Sequence, residues 1–320
     1  MRFVAAALAA VLLCTGAAGA QTAYPERPTR VIVAFAAGGG TDLLGRTVAQ
    51  KLQEALGQPF VVENRGGAGG NIGTDIVAKA APDGYTLLFG YSSNFSISPF
   101  IYKSLPYDPL KDFTPIALAT TATNIMAANP SLGVSNLKEL QAYAKASGKP
   151  LYYGSAGIGT LGHLTMELFK SVAGIDLVHV PYSGNSAAMT DLLADRVQLF
   201  AGSPAAVMPY VESGKLKALG ITSRQRLPDM KDMPTFIEQG FPVEAEAWFG
   251  LLAPAGTPDA IVAKLNAVVV EAMKSPDVIA SFAKLGYNVE TDTPKEFAAF
   301  IKADYDRWKD VVARSGIEAH

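Results

Sequence analysis

The sequence predicts an α/β protein of two domains, and this prediction depends on three observations. A unit made of an apolar strand, a Gly/Ser-rich turn and an amphipathic helix occurs four times in the 320 residues. The units form two clusters, which the irregular stretch 100–115 separates. The length also corresponds to about two domains of average size. Because strands that alternate with helices are typical of parallel sheets, we expect two doubly wound α/β domains.

The first half of the chain contains two of these units and one further strand. The predicted strands are Arg30–Phe35, Phe60–Glu63 and Tyr85–Phe89. A helix to about Leu56 follows the first strand, because apolar residues recur there every four positions. Gly57 ends this helix, as a glycine at the C′ position usually does. A shorter helix, which ends near Ala80, follows the second strand.

The second half of the chain contains the other two units and a mostly helical C-terminal quarter. Its predicted strands are Leu151–Tyr153, Leu177–Val180 and Trp248–Ala253. Four Ser-Pro or Thr-Pro pairs place a capping residue before a proline at the first helical position. They begin at Ser203, Thr257, Ser275 and Thr293, and Glu296 completes a capping box with the last of them. The final helix, to about Ala313, carries an apolar stripe that we expect in the core.

Residues 1–20 have the pattern of a secretory signal peptide. Arg2 is followed by an apolar run from Val4 to Leu13, and Ala18–Ala20 has the form of a signal-peptidase site. The run is too short to span a bilayer. A lipoprotein signal at Cys14 is the alternative, but the bulky Leu13 stands where such signals carry a small residue. We therefore expect the mature protein to work outside the cytoplasm, without a lipid anchor or disulfides.

Several functional classes find little support in the sequence. The net charge of −2, without a run of Lys or Arg, argues against a nucleic-acid partner. Gly157–Gly162 matches a dinucleotide-binding motif, but no acidic residue follows about 20 positions later, so we expect no cofactor. The three histidines lack the spacing of metal ligands, and no G-x-S-x-G motif occurs. An exported hydrolase or isomerase that uses Ser155 or His163 stays an alternative.

Four Gly/Ser-rich loops are the positive signal. They cover residues 36–42, 66–74, 154–160 and 182–187, and each ends at the N-terminus of a helix. Such a terminus offers unpaired N–H groups and about half a positive charge. In parallel α/β sheets these loops lie at the carboxyl ends of the strands, where ligands bind. If the two halves face each other, the loops form a cleft suited to a small carboxylate.

Landmarks along the whole mature chain carry a family resemblance. They are Tyr24-Pro25, Gly38–Asp42 with Arg46, Glu63–Gly73, Asp83–Leu87, Ser155–Gly157 with His163-Leu164, Val180–Gly184, and Trp248 through Pro258. With these motifs the sequence resembles the Bug-type periplasmic solute-binding proteins of tripartite tricarboxylate transporters. It departs from the family where Ala36 or Ala37 replaces a proline and Ser183 replaces a frequent lysine.

The resemblance implies a two-lobed, type II periplasmic-binding-protein fold with a two-segment hinge. We expect the chain to cross between lobes near Ile116–Thr121 and Leu219–Phe241. Lobe one then comprises residues 21–121 and 242–320, and lobe two comprises residues 122–241. The lobes are expected to close over a carboxylate. The implied ligand contacts are Phe35, Ala37, Gly39, Gly40, Thr41, Asp42, Ser92 and Asn94 in lobe one, and Ser155, Gly157, Gly159, Thr160, His163, Tyr182 and Ser183 in lobe two.

The resemblance also implies a function that is not enzymatic. We expect a monomeric receptor that captures a dicarboxylate, tricarboxylate, amino acid or aromatic acid and delivers it to membrane permease subunits. Two alternatives stay open, namely the exported hydrolase or isomerase and a ligand-sensing module that docks on a receptor kinase.

Overall fold

A computed structural model describes residues 24–35, 37–158, 160–182, 184–227 and 230–315. The predicted signal peptide, including Cys14, lies outside the described residues. The same is true of Ala36, His320 and the predicted site residues Gly159 and Ser183. Within the described ranges, no helix combines the length and the apolar character that crossing a membrane requires.

The strands form two sheets, which confirms the α/β class. In chain order they are β1 Thr29–Val33, β2 Phe60–Asn64, β3 Thr86–Tyr91, β4 Phe113–Thr123, β5 Ile125–Ala128, β6 Leu151–Ser155, β7 Leu177–Pro181, β8 Leu199–Gly202, β9 Lys217–Ile221, β10 Glu246–Pro254 and β11 Asn288–Val289. The first sheet has the order β11-β4-β10-β3-β1-β2, and the second has the order β7-β6-β8-β5-β9.

Helices connect and cover these strands. In chain order they are α1 Gly40–Leu56, α2 Asn71–Ala78, α3 Ser98–Ile101, α4 Leu137–Ala146, α5 Leu161–Ala173, α6 Asn185–Leu193, α7 Pro204–Glu212, α8 Asp259–Met273, α9 Pro276–Lys284 and α10 Pro294–Ser315. The helix that was expected to end near Leu56 ends there, and Gly57 has the left-handed conformation of a C′ residue.

The sheets are mixed, so the prediction of parallel sheets is only partly right. Strands β1, β2 and β3 pair in parallel, and so do β6, β7 and β8. However, β10 runs antiparallel to both of its neighbours, and β5 does the same in the second sheet. The reason is that β5 and β10 directly follow the passages of the chain from one sheet to the other. They therefore start at the carboxyl edge of the parallel strands.

The chain passes between the sheets at Asn124 and again just before β10, since Phe241 and Val243 still pack in the core of the second sheet. The predicted first crossing, Ile116–Thr121, lies inside β4, because that strand continues as a paired, buried segment to Thr123. The two passages are joined by hydrogen bonds, since the Asn124 backbone N–H donates to Thr222 Oγ1 at 2.9 Å and Thr222 Oγ1 donates to the Ala245 carbonyl at 2.6 Å. Both passages lie at the edge where the predicted loops are found. The lobe boundaries themselves stay a prediction.

Each sheet has its own apolar core, and the C-terminal helix contacts both halves. The predicted stripe of α10 is confirmed at Phe297, Ile301 and Trp308, which are fully or almost fully buried. Trp308 packs in one cluster with Leu164 of α5, which covers the second sheet. Helix α10 therefore ties the two halves together on the side of the passages.

The predicted helix starts are confirmed at three of the four pairs. At α10 the capping box is complete, with Glu296 N–H donating to Thr293 Oγ1 at 3.2 Å and Thr293 N–H donating to Glu296 at 3.0 Å. Ser203 and Ser275 are N-cap residues, although their side chains make no capping hydrogen bond. At the Thr257 pair the prediction is wrong by one residue, because Thr257 Oγ1 donates to the Pro254 carbonyl and Pro258 becomes the N-cap.

Candidate functional site

A cavity of about 280 Å³ lies between the two sheets. From the side of the second sheet it is lined by the starts of three helices. These are Thr160 to Gly162 at α5, Asn185 of α6, and Ser203 before α7. From the side of the first sheet it is lined by three aromatic side chains, Tyr91 of β3, Phe249 of β10 and Tyr287 directly before β11. Among the described residues that line it, none carries a formal charge. A site of this kind holds an anion with helix dipoles and hydrogen bonds rather than with cations.

The aromatic side of this cavity continues to the first predicted loop. Tyr91 stacks on Phe249, with 4.9 Å between the ring centroids, and Tyr287 meets Phe249 edge-on at 5.2 Å. The predicted residue Phe35 contacts Tyr91 edge-on at 5.5 Å. A Cβ atom on Gly40 would lie 2.3 Å from the Tyr287 hydroxyl oxygen, so this hydroxyl sits directly over the start of α1. Three of these aromatic residues were not among the predicted site residues.

Asp42 organises the first loop. Its carboxylate is 2% exposed and accepts hydrogen bonds from the Gly38 N–H at 2.8 Å, Arg46 Nε at 3.0 Å and Asn64 Nδ2 at 2.8 Å. Burial raises the pKa of Asp42, but these three donors outweigh it and hold the pKa below its ordinary value. The carboxylate therefore stays ionised and fixes the loop from beneath. Ala37 and Gly39 are exposed, and Thr41 is half-buried.

The predicted turn after β3 is buried and bonded to the second loop. Ser92 and Asn94 are 2% and 1% exposed. Asn94 Nδ2 donates to the Gly69 carbonyl at 2.9 Å and to Asn71 Oδ1 at 3.1 Å. Asn94 Oδ1 and Asn71 Nδ2 are buried without a hydrogen-bond partner among the described protein atoms. Asn94 thus connects the turn after β3 to the loop of residues 66–74, and its Oδ1 accepts no hydrogen bond from the described protein atoms.

The third loop is closed by its own side chains. Ser155 is fully buried, and its Oγ accepts from the Gly157 N–H at 3.1 Å and lies 2.7 Å from His179 Nε2. Thr160 Oγ1 donates to the Gly157 carbonyl at 2.8 Å and accepts from the His163 N–H as the cap of α5. Of the predicted site residues that the structure describes, Thr160 is the one that lines the cavity. Several of the others, such as Asp42, Asn94 and Ser155, hold loops through hydrogen bonds. The assignment of the predicted residues as ligand contacts stays a prediction.

His163 and His179 form a stacked pair under this loop. Their ring centroids are 4.0 Å apart, and Tyr153 stacks on His179 at 4.9 Å. Burial disfavours the imidazolium and lowers the pKa of His163 to about 4, with further repulsion from His179 and Lys170. The pKa of His179 is lowered as well, mainly by burial. Both rings are therefore neutral near pH 7. Over the described residues, no group of three or more His, Cys, Asp and Glu is placed to hold a metal ion.

Lowering the pH from about 7 toward about 4 is expected to destabilise the folded protein. Unfolded histidine has a pKa near about 6.5, so a folded pKa near about 4 contributes stability that is present above 6.5 and lost below it. We expect a His163→Phe variant, which keeps a stacked ring, to lose less stability between about pH 7 and about pH 5 than the wild type. Urea unfolding at both pH values measures this difference. An equal loss of unfolding free energy between the two pH values in both proteins would contradict it.

Tyr182 belongs to the fourth loop but points back to its own helix. Its hydroxyl donates to Asp191 at 2.7 Å, and Asp191 pairs with Arg196 at 2.9 Å. Burial and the Asp191 carboxylate raise the pKa of Tyr182 to about 12. The Tyr182 N–H donates to the Ser155 carbonyl at 3.0 Å, which joins the third and fourth loops.

Comparison with known proteins identifies the family. The model described as tripartite tricarboxylate transporter family receptor matches residues 44–317. The chain belongs to this family. Among its relatives in this receptor family is protein BugT of Bordetella pertussis (strain Tohama I), which is 38% identical over 295 residues, or 92% of this chain and 90% of BugT.

Two solved structures with ligands resemble this family member over nearly its whole length. The R. palustris protein Rpa4515 with adipate has a TM-score of 0.75 and 34% identity, and the match covers 93% of this chain and all of that one. MatC of Rhodopseudomonas palustris with bound malate has a TM-score of 0.70 and 35% identity, and the match covers 90% of this chain and 100% of MatC. The predicted two-lobed periplasmic-binding-protein fold and the Bug-type resemblance are thereby confirmed.

Proposed function

We propose that this receptor captures a small carboxylate in the cavity between its two sheets and delivers it to permease subunits in the membrane. The observation that carries this proposal is the lining of the cavity, where three helix N-termini face a charge-free aromatic wall. Helix N-termini supply N–H donors and a positive dipole end to an anion. The described lining offers an anion these dipoles and hydrogen bonds rather than a cation.

Similar proteins support the chemical class of the ligand. Their structures contain adipate in one case and malate in another. We therefore take dicarboxylates as the first candidates, and tricarboxylates, amino acids and aromatic acids as further ones. Ligand binding between the lobes favours a closed form, which the permease subunits would recognise. We also propose that the chain is exported through residues 1–20 and acts as a monomer in the periplasm.

The test is a binding screen by calorimetry and thermal shift with malate, adipate, citrate, amino acids and benzoate. We expect at least one carboxylate to bind and to raise the melting temperature. An Asn185→Leu variant removes a polar group from the cavity lining, and we expect it to weaken that ligand about tenfold or more. The neighbouring Ser186→Ala, which lies outside the lining, is the matched control. A screen in which no carboxylate binds would reject the proposed function.

One contact favours the hydrolase alternative, namely the 2.7 Å distance between Ser155 Oγ and His179 Nε2. However, Ser155 is fully buried, and its hydroxyl already bonds the backbone of Gly157. A buried hydroxyl that closes a turn is not placed to attack a substrate. Ester turnover that disappears in a Ser155→Ala variant would nevertheless promote the enzyme over the receptor.

A further inference from the structure

A second cavity, of about 360 Å³, adjoins the first one between the two halves of the molecule. We name it the methionine compartment, after Met208 of α7 and Met230, and we name the first cavity the polar compartment. The two compartments share Gly286 and Tyr287 in their linings, so they meet where the Tyr287 side chain stands.

The lining of the methionine compartment is mainly apolar. Pro204, Met208, Leu227 and Met230 come from the second half of the chain, and Met208 and Met230 also pack against the core of the second sheet. The charged lining residues, Glu212 and Lys284, are both exposed, as expected for side chains at the mouth. Methionine side chains are flexible and polarizable, so they adapt to apolar groups of different shape.

The sizes of the two compartments favour one ligand that occupies both. Ligand cavities are typically about 300–1,000 Å³. At about 280 and 360 Å³, each compartment by itself lies near the lower end of this range, and the two together lie well within it. Two lining residues from opposite sides of the methionine compartment also approach each other closely, because a Cβ on Gly286 would lie 3.5 Å from Ala205 Cβ. A group in the methionine compartment is therefore enclosed from both sides.

We propose that the physiological ligand is a carboxylate with an apolar tail, whose carboxylate lies in the polar compartment and whose tail passes Tyr287 into the methionine compartment. This inference rests on the proposed function and adds the class of substrate to it. The occupant follows from the continuity of the two linings and from their composition, since the charged residues among the described lining, Glu212 and Lys284, are both exposed. This class differs from the dicarboxylates taken as first candidates above, because most of the described lining that a second carboxylate would meet there consists of thioethers and aliphatic carbons.

The experiment is a calorimetric titration of the full chain with butanoate, hexanoate, octanoate and 3-phenylpropanoate, and with malate as a carboxylate without an apolar tail. We expect the affinity to rise about fourfold for each methylene added, until the compartment is full. A Met208→Gln/Met230→Gln double variant is expected to bind octanoate at least about tenfold more weakly and butanoate unchanged. Ile279→Gln, at an exposed position of α9, is the control and leaves all affinities unchanged.

The outcomes separate this inference from the proposed function. If malate binds and the affinity does not rise from butanoate to octanoate, the apolar-tail proposal is wrong and the receptor function stands. If octanoate binds equally to the wild type and the double variant, the methionine compartment is not the tail site. If no carboxylate binds, both proposals fail. The chain-length series in the wild type decides the matter even if the double variant does not fold.

Discussion

Replacing Trp308 with alanine is expected to lower the free energy of unfolding by about 3–5 kcal/mol, as truncation of a fully buried large aromatic side chain does. Trp308 lies in the cluster that joins the C-terminal helix α10 to Leu164 of α5. Ile97, Ala245, Val311 and Val312 belong to the same cluster. Packed surroundings of this kind close a cavity only in part. Urea unfolding followed by circular dichroism measures the effect.

Two further variants on α10 show whether the loss comes from packing. Trp308→Phe keeps part of the apolar volume and is expected to lose clearly less stability than Trp308→Ala. Lys309→Ala, at an exposed position next to it, is expected to change stability by less than about 0.5 kcal/mol. A Trp308→Ala protein within about 1 kcal/mol of the wild type would show that α10 does not tie the two halves together.

Local sequence patterns predicted most elements of the fold. The strand–turn–helix units appear at the expected positions because alternating apolar runs, N-cap residues and terminal glycines act within a few residues of each other. The capping box of Thr293 and the end of α1 at Gly57 are examples. Such signals need no information about the rest of the chain.

The sequence analysis did not predict helix α4 or strands β8 and β9, and it also missed features that depend on distant parts of the chain. The passage at Asn124 and the antiparallel direction of β5 and β10 follow from how the two sheets are joined. No local pattern marks that junction, because β4 remains paired and buried up to Thr123. The two-residue strand β11 is likewise defined only by its pairing with β4.

The candidate site was predicted in part. Loops 154–160 and 182–187 were identified from their glycines, and Thr160 and Asn185 in them line the polar compartment. The aromatic wall was missed, because Phe249 and Tyr287 stand in segments without a loop motif and reach the cavity through tertiary packing. Ser203 was predicted as a helix start. It also follows the carboxyl end of β8, where ligands bind in such sheets, and this position would have identified it as a site residue.

Replacing Gly162 with alanine is expected to destabilise the protein by about 1–3 kcal/mol, although helix propensity alone predicts a gain of about 1 kcal/mol. Gly162 lies in the first turn of α5 and lines the polar compartment. A Cβ there would lie 2.3 Å from the Ala201 carbonyl oxygen, which is a backbone atom of β8. The helix must therefore move away from the sheet, and its N-terminus moves with it. We expect the affinity for the carboxylate found in the screen to fall about tenfold or more.

Gly174, at the C′ position of the same helix, provides the control for this prediction. It has a φ of +59° and open space around its Cβ position, so Gly174→Ala costs about 1 kcal/mol through backbone strain without displacing α5. We therefore expect Gly174→Ala to lose stability and to keep the wild-type affinity, whereas Gly162→Ala loses both. If Gly162→Ala is more stable than the wild type and binds equally well, then the close approach of α5 to β8 does not position the N-terminus of that helix. The dipole of α5 would in that case play no part in holding the ligand.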